Sequence, residues 1–185
     1  MKRKFALALS FAAVMSMVLM PASVWADSTA SAADSKSSGG SFAAFGADLT
    51  EAQKATVLEL LGISADDLSK YTCITVTNAD EHKYLDSYLD SSVIGTKALS
   101  SCKVTPESSG HGITVETHNI TYVTSGMYEN ALATAGMKNA SVVVAGPVQI
   151  SGTAALVGAM EAYAKMNGDV IQPQYLDGAT DELVT

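Results

Sequence analysis

The stretch SVVVAGPVQISGTAALVGAMEAYAKM, residues 141–166, decides how the rest of the chain is read. Val142, Val143 and Val144 form a β-branched run without alternation, the pattern of a strand covered on both faces. Gly146 and Pro147 end that strand at residue 145, because proline has no amide proton to give to a ladder. A helix over residues 153–166 follows. Leu156, Val157, Met160, Tyr163 and Ala164 give it a wide apolar stripe, and Gly158, Glu161 and Lys165 a thin polar seam. Residues 146–152 are left as a tight loop, with Ser151 or Thr153 as the helix cap. The loop is spaced like a nucleotide cradle but has Ser151-Gly152 where a P-loop needs Gly-Lys. What remains is a helix N-terminus, so Gly146, Ser151, Gly152 and Thr153 are a candidate anion site; the plainer reading is a capped turn with no ligand.

Working back from this unit, residues 124–135 predict a helix that buries Met127, Tyr128, Ala131 and Leu132 and closes at Gly136. Residues 98–105 and 113–118 read as the two strands of a hairpin. Glu116 and His118 alternate to the same side of the second strand, either as an acid–base pair or as a polar sheet face. A helix over about residues 79–90 places Tyr84, Leu85, Tyr88 and Leu89 on its core face. His82, Asp86 and Asp90 recur at i, i+4 and i+8 on another face, which suits either a divalent metal or ordinary solvent. Residues 71–77 read as a strand, and Thr50 with Gln53 opens a helix that Gly62 closes.

The resulting order is β-α-β-β-α-β with a helix at each end. That predicts an α+β domain on a four-stranded mixed sheet, with the ferredoxin-like sandwich favoured among the arrangements of this order. The apolar last helix is expected to cover the second face of the sheet. Cys73 and Cys102 in an exported chain invite a disulfide. Their phases along the two strands point them to opposite sides, and in a ferredoxin-like order the strands lie two spacings apart, about 9.5 Å, too far to bridge. A mixed sheet of another order leaves the bond open.

At the N-terminus Lys2, Arg3 and Lys4 precede an apolar run over residues 5–20, and Val24-Trp25-Ala26 supplies small residues before a cleavage point. Residues 1–26 therefore read as a secretory signal peptide, too short for a comfortable membrane span. Cleavage removes three positive charges (Lys2, Arg3 and Lys4) and no acid, taking the formal charge from −8 to −11. Arg3 is the only arginine, so the mature chain carries only lysine as a fixed cation. That excludes nucleic acid, which needs clustered cations, and removes the bidentate fork that reads phosphate. Residues 27–44 form a Ser/Ala/Gly linker, residues 45–168 a single domain, and residues 169–185 a loose tail broken by Pro173 and Gly178.

Three stretches, TVTNADEHKYLDSYLDSSVIGTKALSS, HNITYVTSGMYENALATAGMKNASVVVAGP and ISGTAALVGAMEAY, resemble the YpuA-like secreted proteins of Gram-positive bacteria, domain-of-unknown-function family 1002. The resemblance covers about residues 45–185. It implies export and no established activity, and it gives no catalytic residue to carry over. It also implies a further helical region in such proteins, whose beginning the closing ATDELVT resembles.

Three functions are compatible with these residues. The first is a secreted, non-enzymatic binding or structural module of the cell envelope, with no cofactor and an extracellular or envelope partner. The second is a hydrolase or transferase at residues 146–153, with Ser151 as nucleophile, loop amides for an oxyanion, and His118, beside Glu116, or His82 as base. No G-x-S-x-G elbow accompanies Ser151. The third is a weak divalent-cation binder at His82, Asp86 and Asp90.

Overall fold

The valine run becomes the inner strand of a five-stranded mixed sheet in a computed structural model that describes residues 40–168. The expected signal peptide, the linker as far as residue 39 and the C-terminal tail lie outside the described residues. The chain runs β1 (Phe42–Gly46), α1 (Glu51–Leu60), a 3-10 turn (Ala65–Lys70), β2 (Thr72–Val76), α2 (Asn78–Leu85) and α3 (Ser91–Ile94). It continues through β3 (Ser101–Pro106), β4 (Ile113–Ile120), α4 (Ser125–Thr134), β5 (Ala140–Ile150) and α5 (Thr153–Met166). The strand order is β2-β1-β3-β5-β4. β1 and β2 are parallel, as are β4 and β5, while β1–β3 and β3–β5 are antiparallel.

Both faces of β5 are covered, as its unbroken apolar run requires. Val142 and Val144 join the larger core with Leu85, Tyr128, Leu132, Leu156, Val157 and Met160 from α2, α4 and α5. Val143 and Ala145 meet the smaller core of Ala43, Phe45, Val57, Leu61 and Ile63. α5 therefore shares a face with α2 and α4, and it is α1 that covers the other. The expectation that α5 covers the second face is corrected here. α5 lies close on β1 because of Gly158, where a Cβ would come within 2.5 Å of the Ala44 Cβ.

Two further expectations are replaced. The sheet has five strands, since FAAFG at residues 42–46 forms β1, buried at every position. Composition groups residues 42–44 with the linker, because a short run of alanine between two phenylalanines has neither alternation nor a turn signal before it. The order is also not ferredoxin-like. β1 inserts between β2 and β3, and β5 inserts between β3 and β4, so the hairpin expected at residues 98–118 does not pair. The connection instead crosses the end of β5, where Asn139 Oδ1 accepts from the amides of Gly110 (3.0 Å) and Gly112 (3.1 Å).

β5 also runs past Pro147 to Ile150. Its pairing with β3 ends at Ala145, and its register with β4 slips between His118↔Ala145 and Ile120↔Ile150. Pro147 sits in that slip, so its missing amide breaks no ladder bond. Asn119 holds the opposite side of the bulge at φ 59, with its Nδ2 donating to Gly146 O at 3.0 Å.

Candidate functional site

The longest-range polar cluster joins α2 to the start of α5. Thr77 caps α2 through a capping box with Asp80, and the helix ends at Leu85. One turn in, Glu81 lies four residues before Leu85 and three before Tyr84, on the core side of the helix. It is 1% exposed, the largest buried acid among the described residues. The Thr153 hydroxyl donates to Glu81 Oε1 at 2.6 Å, and Asn78 Nδ2 donates to Oε2 at 3.3 Å. Ser151 Oγ lies 3.2 Å from Thr153 Oγ1; since Thr153 donates to Glu81, Ser151 is the donor of that pair. Burial pushes the Glu81 carboxyl above its ordinary value, against the lowering effect of Thr153 and Asn78.

Above this cluster opens a cleft of about 510 Å³, within the range of small-ligand sites. Glu81, Ser100 and Thr153 form its floor, and Ser151, Ile150, Thr121 and Tyr122 one wall. The opposite wall is residues 92–97, from α3 into the approach to β3. Most polar side chains of the floor and of the Ser151 wall already hold a partner within the fold. Ser100 Oγ accepts the Ala155 amide at 2.9 Å, and Thr121 Oγ1 donates to Ile150 O at 3.0 Å.

The second polar group on α2 points to the lip of this cleft. His82 Nδ1 is 2.6 Å from Asp86 Oδ1, and His82 Nε2 is 3.2 Å from the carbonyl of Gly95, which also accepts from Asn78 Nδ2 at 3.3 Å. The Asp86 contact, foremost, holds the His82 imidazole above its ordinary value, with the Gly95 carbonyl acting in the same direction.

The structure separates several of the residues that the sequence groups. Asp90 does not complete a ladder with His82 and Asp86. α2 stops at Leu85, and Asp90 instead caps α3, accepting the Ser92 amide at 2.8 Å. Among the described residues no three of His, Cys, Asp and Glu gather as a metal set. Glu116 and His118 do meet, at 3.2 Å, but Glu116 is 68% exposed and both sit opposite Val143 and Ala145, on the α1 face. Ser151 opens on the other face, beside Glu81, so His118 is not positioned to act on it. His82 is one residue from Glu81, yet both of its nitrogens are engaged elsewhere.

The candidate anion loop is rearranged too. Gly146 belongs to the β5 bulge, apart from Ser151, Gly152 and Thr153. Gly152, at φ 101, is the N-cap of α5 and offers no side-chain cap; Ser100 supplies the capping oxygen from across the sheet. Tyr128 fixes Gly152 from the far side, donating to its carbonyl at 2.6 Å. Cys73 and Cys102 are free. β1 lies between their strands, with Cys73 opposite Ala43 and Cys102 opposite Ala44, so they face opposite sides. Burial pushes the Cys102 thiol up to about 12.

Glu81 is the residue that sequence reading misses. The signal that could find it is plain: it shares the i, i+3, i+4 face of Tyr84 and Leu85, and an acid there must find buried donors.

The profile of the family described as "Protein of unknown function (DUF1002)" matches residues 45–185. The "Uncharacterized protein YpuA" of Bacillus subtilis (strain 168) is 44% identical over 140 residues, covering 76% of this chain and 47% of that relative. The chain thus spans about half the length of the curated relative it matches. No solved structure matches it.

Proposed function

This chain belongs to the DUF1002 family, and we propose that it acts outside the cytoplasm as a non-enzymatic binding module of the cell envelope, with the cleft over Glu81 as its binding place. Export is supported by the basic, apolar and small-residue succession of residues 1–26. No helix among the described residues is long and apolar enough to cross a membrane.

The observation that carries the non-catalytic reading is the commitment of the cleft's reactive groups to one another. Ser151 gives its proton towards Thr153, Thr153 towards Glu81, and His82 is held between Asp86 and Gly95. A nucleophile needs a base in contact and an orienter behind that base. Here the nearest imidazole is turned to the lip, and the carboxylate serves to anchor the start of α5. What the cleft offers a partner is shape, hydroxyls and the exposed ring of Tyr122, which is 39% accessible.

The test is retention on purified cell-wall material, comparing the protein with its Tyr122→Ala variant. Tyr122 stands at the surface, so the variant is expected to fold with an unchanged midpoint but to lose most of the retention. Equal retention by both proteins would move the binding place elsewhere. Ester or amide hydrolysis abolished by Ser151→Ala would replace this reading with the catalytic one.

A further inference from the structure

We infer that His82 is a positioning residue with a proton-operated grip on the cleft: as the imidazolium it ties α2 to the lip at Gly95, and on losing its proton it lets that lip go. The inference rests on the cleft reading only in treating residues 92–97 as the lip of a binding place.

Both neighbours of the ring are acceptors, a carboxylate oxygen at Nδ1 and a backbone carbonyl at Nε2. Neutral imidazole carries one N–H, so in either tautomer a lone pair faces one of those oxygens. Only the imidazolium donates to both. When the proton leaves, the 2.6 Å contact with Asp86 keeps the remaining N–H, because a charged acceptor binds it more strongly than a carbonyl does. The contact that fails is therefore the one to Gly95.

Gly95 is suited to respond. It ends α3 at φ 78 and ψ −158, a conformation open to glycine, and a Cβ there would meet nothing. α3 is a single turn, tied at its start by Asp90. Asn78, at 3.3 Å, is the other side chain on the Gly95 carbonyl, and it also serves Glu81. Loss of the His82 contact thus leaves the Gly95 carbonyl with one shared side-chain amide, while Asp90 and the buried Ile94 still hold the start of the lip.

The charged groups facing this assembly are few. Asp86 and Glu81 on α2 both favour the imidazolium, and Asp48, from the turn after β1, faces Glu81. Asp90 is committed to the Ser92 amide, and Lys97 stands on the lip itself. On α5, Glu161 faces Asp80 and Lys83, away from His82. Among the described residues the charged groups acting on His82 are Asp86 and Glu81, both acidic.

The experiment is an NMR titration of the protein without any partner, following the His82 ring nitrogens together with the amides of Gly95, Thr96 and Lys97. His82 is expected to lose its proton above the ordinary histidine value, and the lip amides to shift with the same midpoint. In His82→Gln that lip transition disappears; in Asp86→Asn the midpoint moves down. Glu81 is also raised by its burial, and Glu81→Gln separates any contribution it makes. Should His82→Gln fail to fold, the wild-type and Asp86→Asn titrations decide. A His82 midpoint at or below the ordinary value, or lip amides that stay still through it, overturns the inference. No ligand enters the tube, so a failure here is distinct from a failure of cell-wall retention.

Discussion

Two carboxylate–imidazole pairs occur in this molecule, His82 with Asp86 on α2 and His118 with Glu116 on β4. In the sequence they look alike: each is an acid and a histidine at the spacing that its element turns into neighbours. In the fold they part company. His118 lies against a mostly exposed Glu116 on the α1 face of the edge strand β4, and the pair lies within that one strand. His82 bridges two segments, and the residue before it, Glu81, is buried and bonded to a residue 72 positions away. The difference teaches that an ion pair matters through what its members hold besides each other. Exposed pairs contribute about 0–1 kcal/mol, whereas a buried carboxylate stripped of its donors costs several times more.

The largest expected effect breaks the α2 side. Thr153→Val keeps the shape of the side chain but removes the donor to Glu81 Oε1, leaving a buried carboxyl short of a partner. Denaturant unfolding is expected to show a loss of about 1–3 kcal/mol. Loss of Ser151 should be milder, since Ser151→Ala removes only the outer member of the chain and leaves Thr153 bonded to Glu81. Its effect is expected near the lower end of a single hydrogen bond, about 0.5–1.5 kcal/mol.

A second test sharpens the contrast through pH. Glu81 is raised on folding by its burial, so the folded state favours the protonated form. That contribution is complete below the unfolded value near 4.5 and is lost as pH rises through the higher folded value. Melting temperatures should therefore fall over that window in the wild type and fall less in Glu81→Gln. His82, raised by Asp86, has the same sign at higher pH: its contribution is present below 6.5 and lost above the folded value. Both contributions should therefore decline with rising pH, the His82 part being absent from His82→Gln. A melting temperature that rises over either window would reverse the assignment.

The smallest effect belongs to the other pair. His118→Ala is expected to change stability by no more than about 0.5 kcal/mol, since the half-buried imidazole pairs only with an exposed carboxylate, as checked by the same unfolding curves. A larger loss would mean that the outer face of β4 carries a contact as consequential as that of α2.

How far the sequence reveals this depends on the element. α5 was legible to the residue, because its apolar stripe is long and no local feature competes with it. The valine run likewise announced a strand covered twice. β1 was hidden, since two alanines flanked by phenylalanines read equally as linker or core until β2 and β3 supply ladder partners on either side. The sheet order was hidden for a related reason: strand spacing along the chain does not say that β5 inserts between β3 and β4. At the candidate site, Ser151, Thr153, His82 and Asp86 were visible as residue types. Their joining through Glu81 and Gly95 was not, because it depends on α2 packing against α5, a contact between distant segments. Asp90 misled because an i+8 spacing counts only while the helix lasts, and α2 ends at Leu85.

The most direct measurement of the central claim, that Glu81 and Thr153 act as one tie between α2 and α5, is a double-mutant cycle of Glu81→Gln and Thr153→Val by denaturant unfolding. The expected result is strong coupling, with the double variant less destabilised than the two single losses together by about 0.5–3 kcal/mol. Additive losses within about 0.3–0.5 kcal/mol would show the two side chains acting independently and contradict the account.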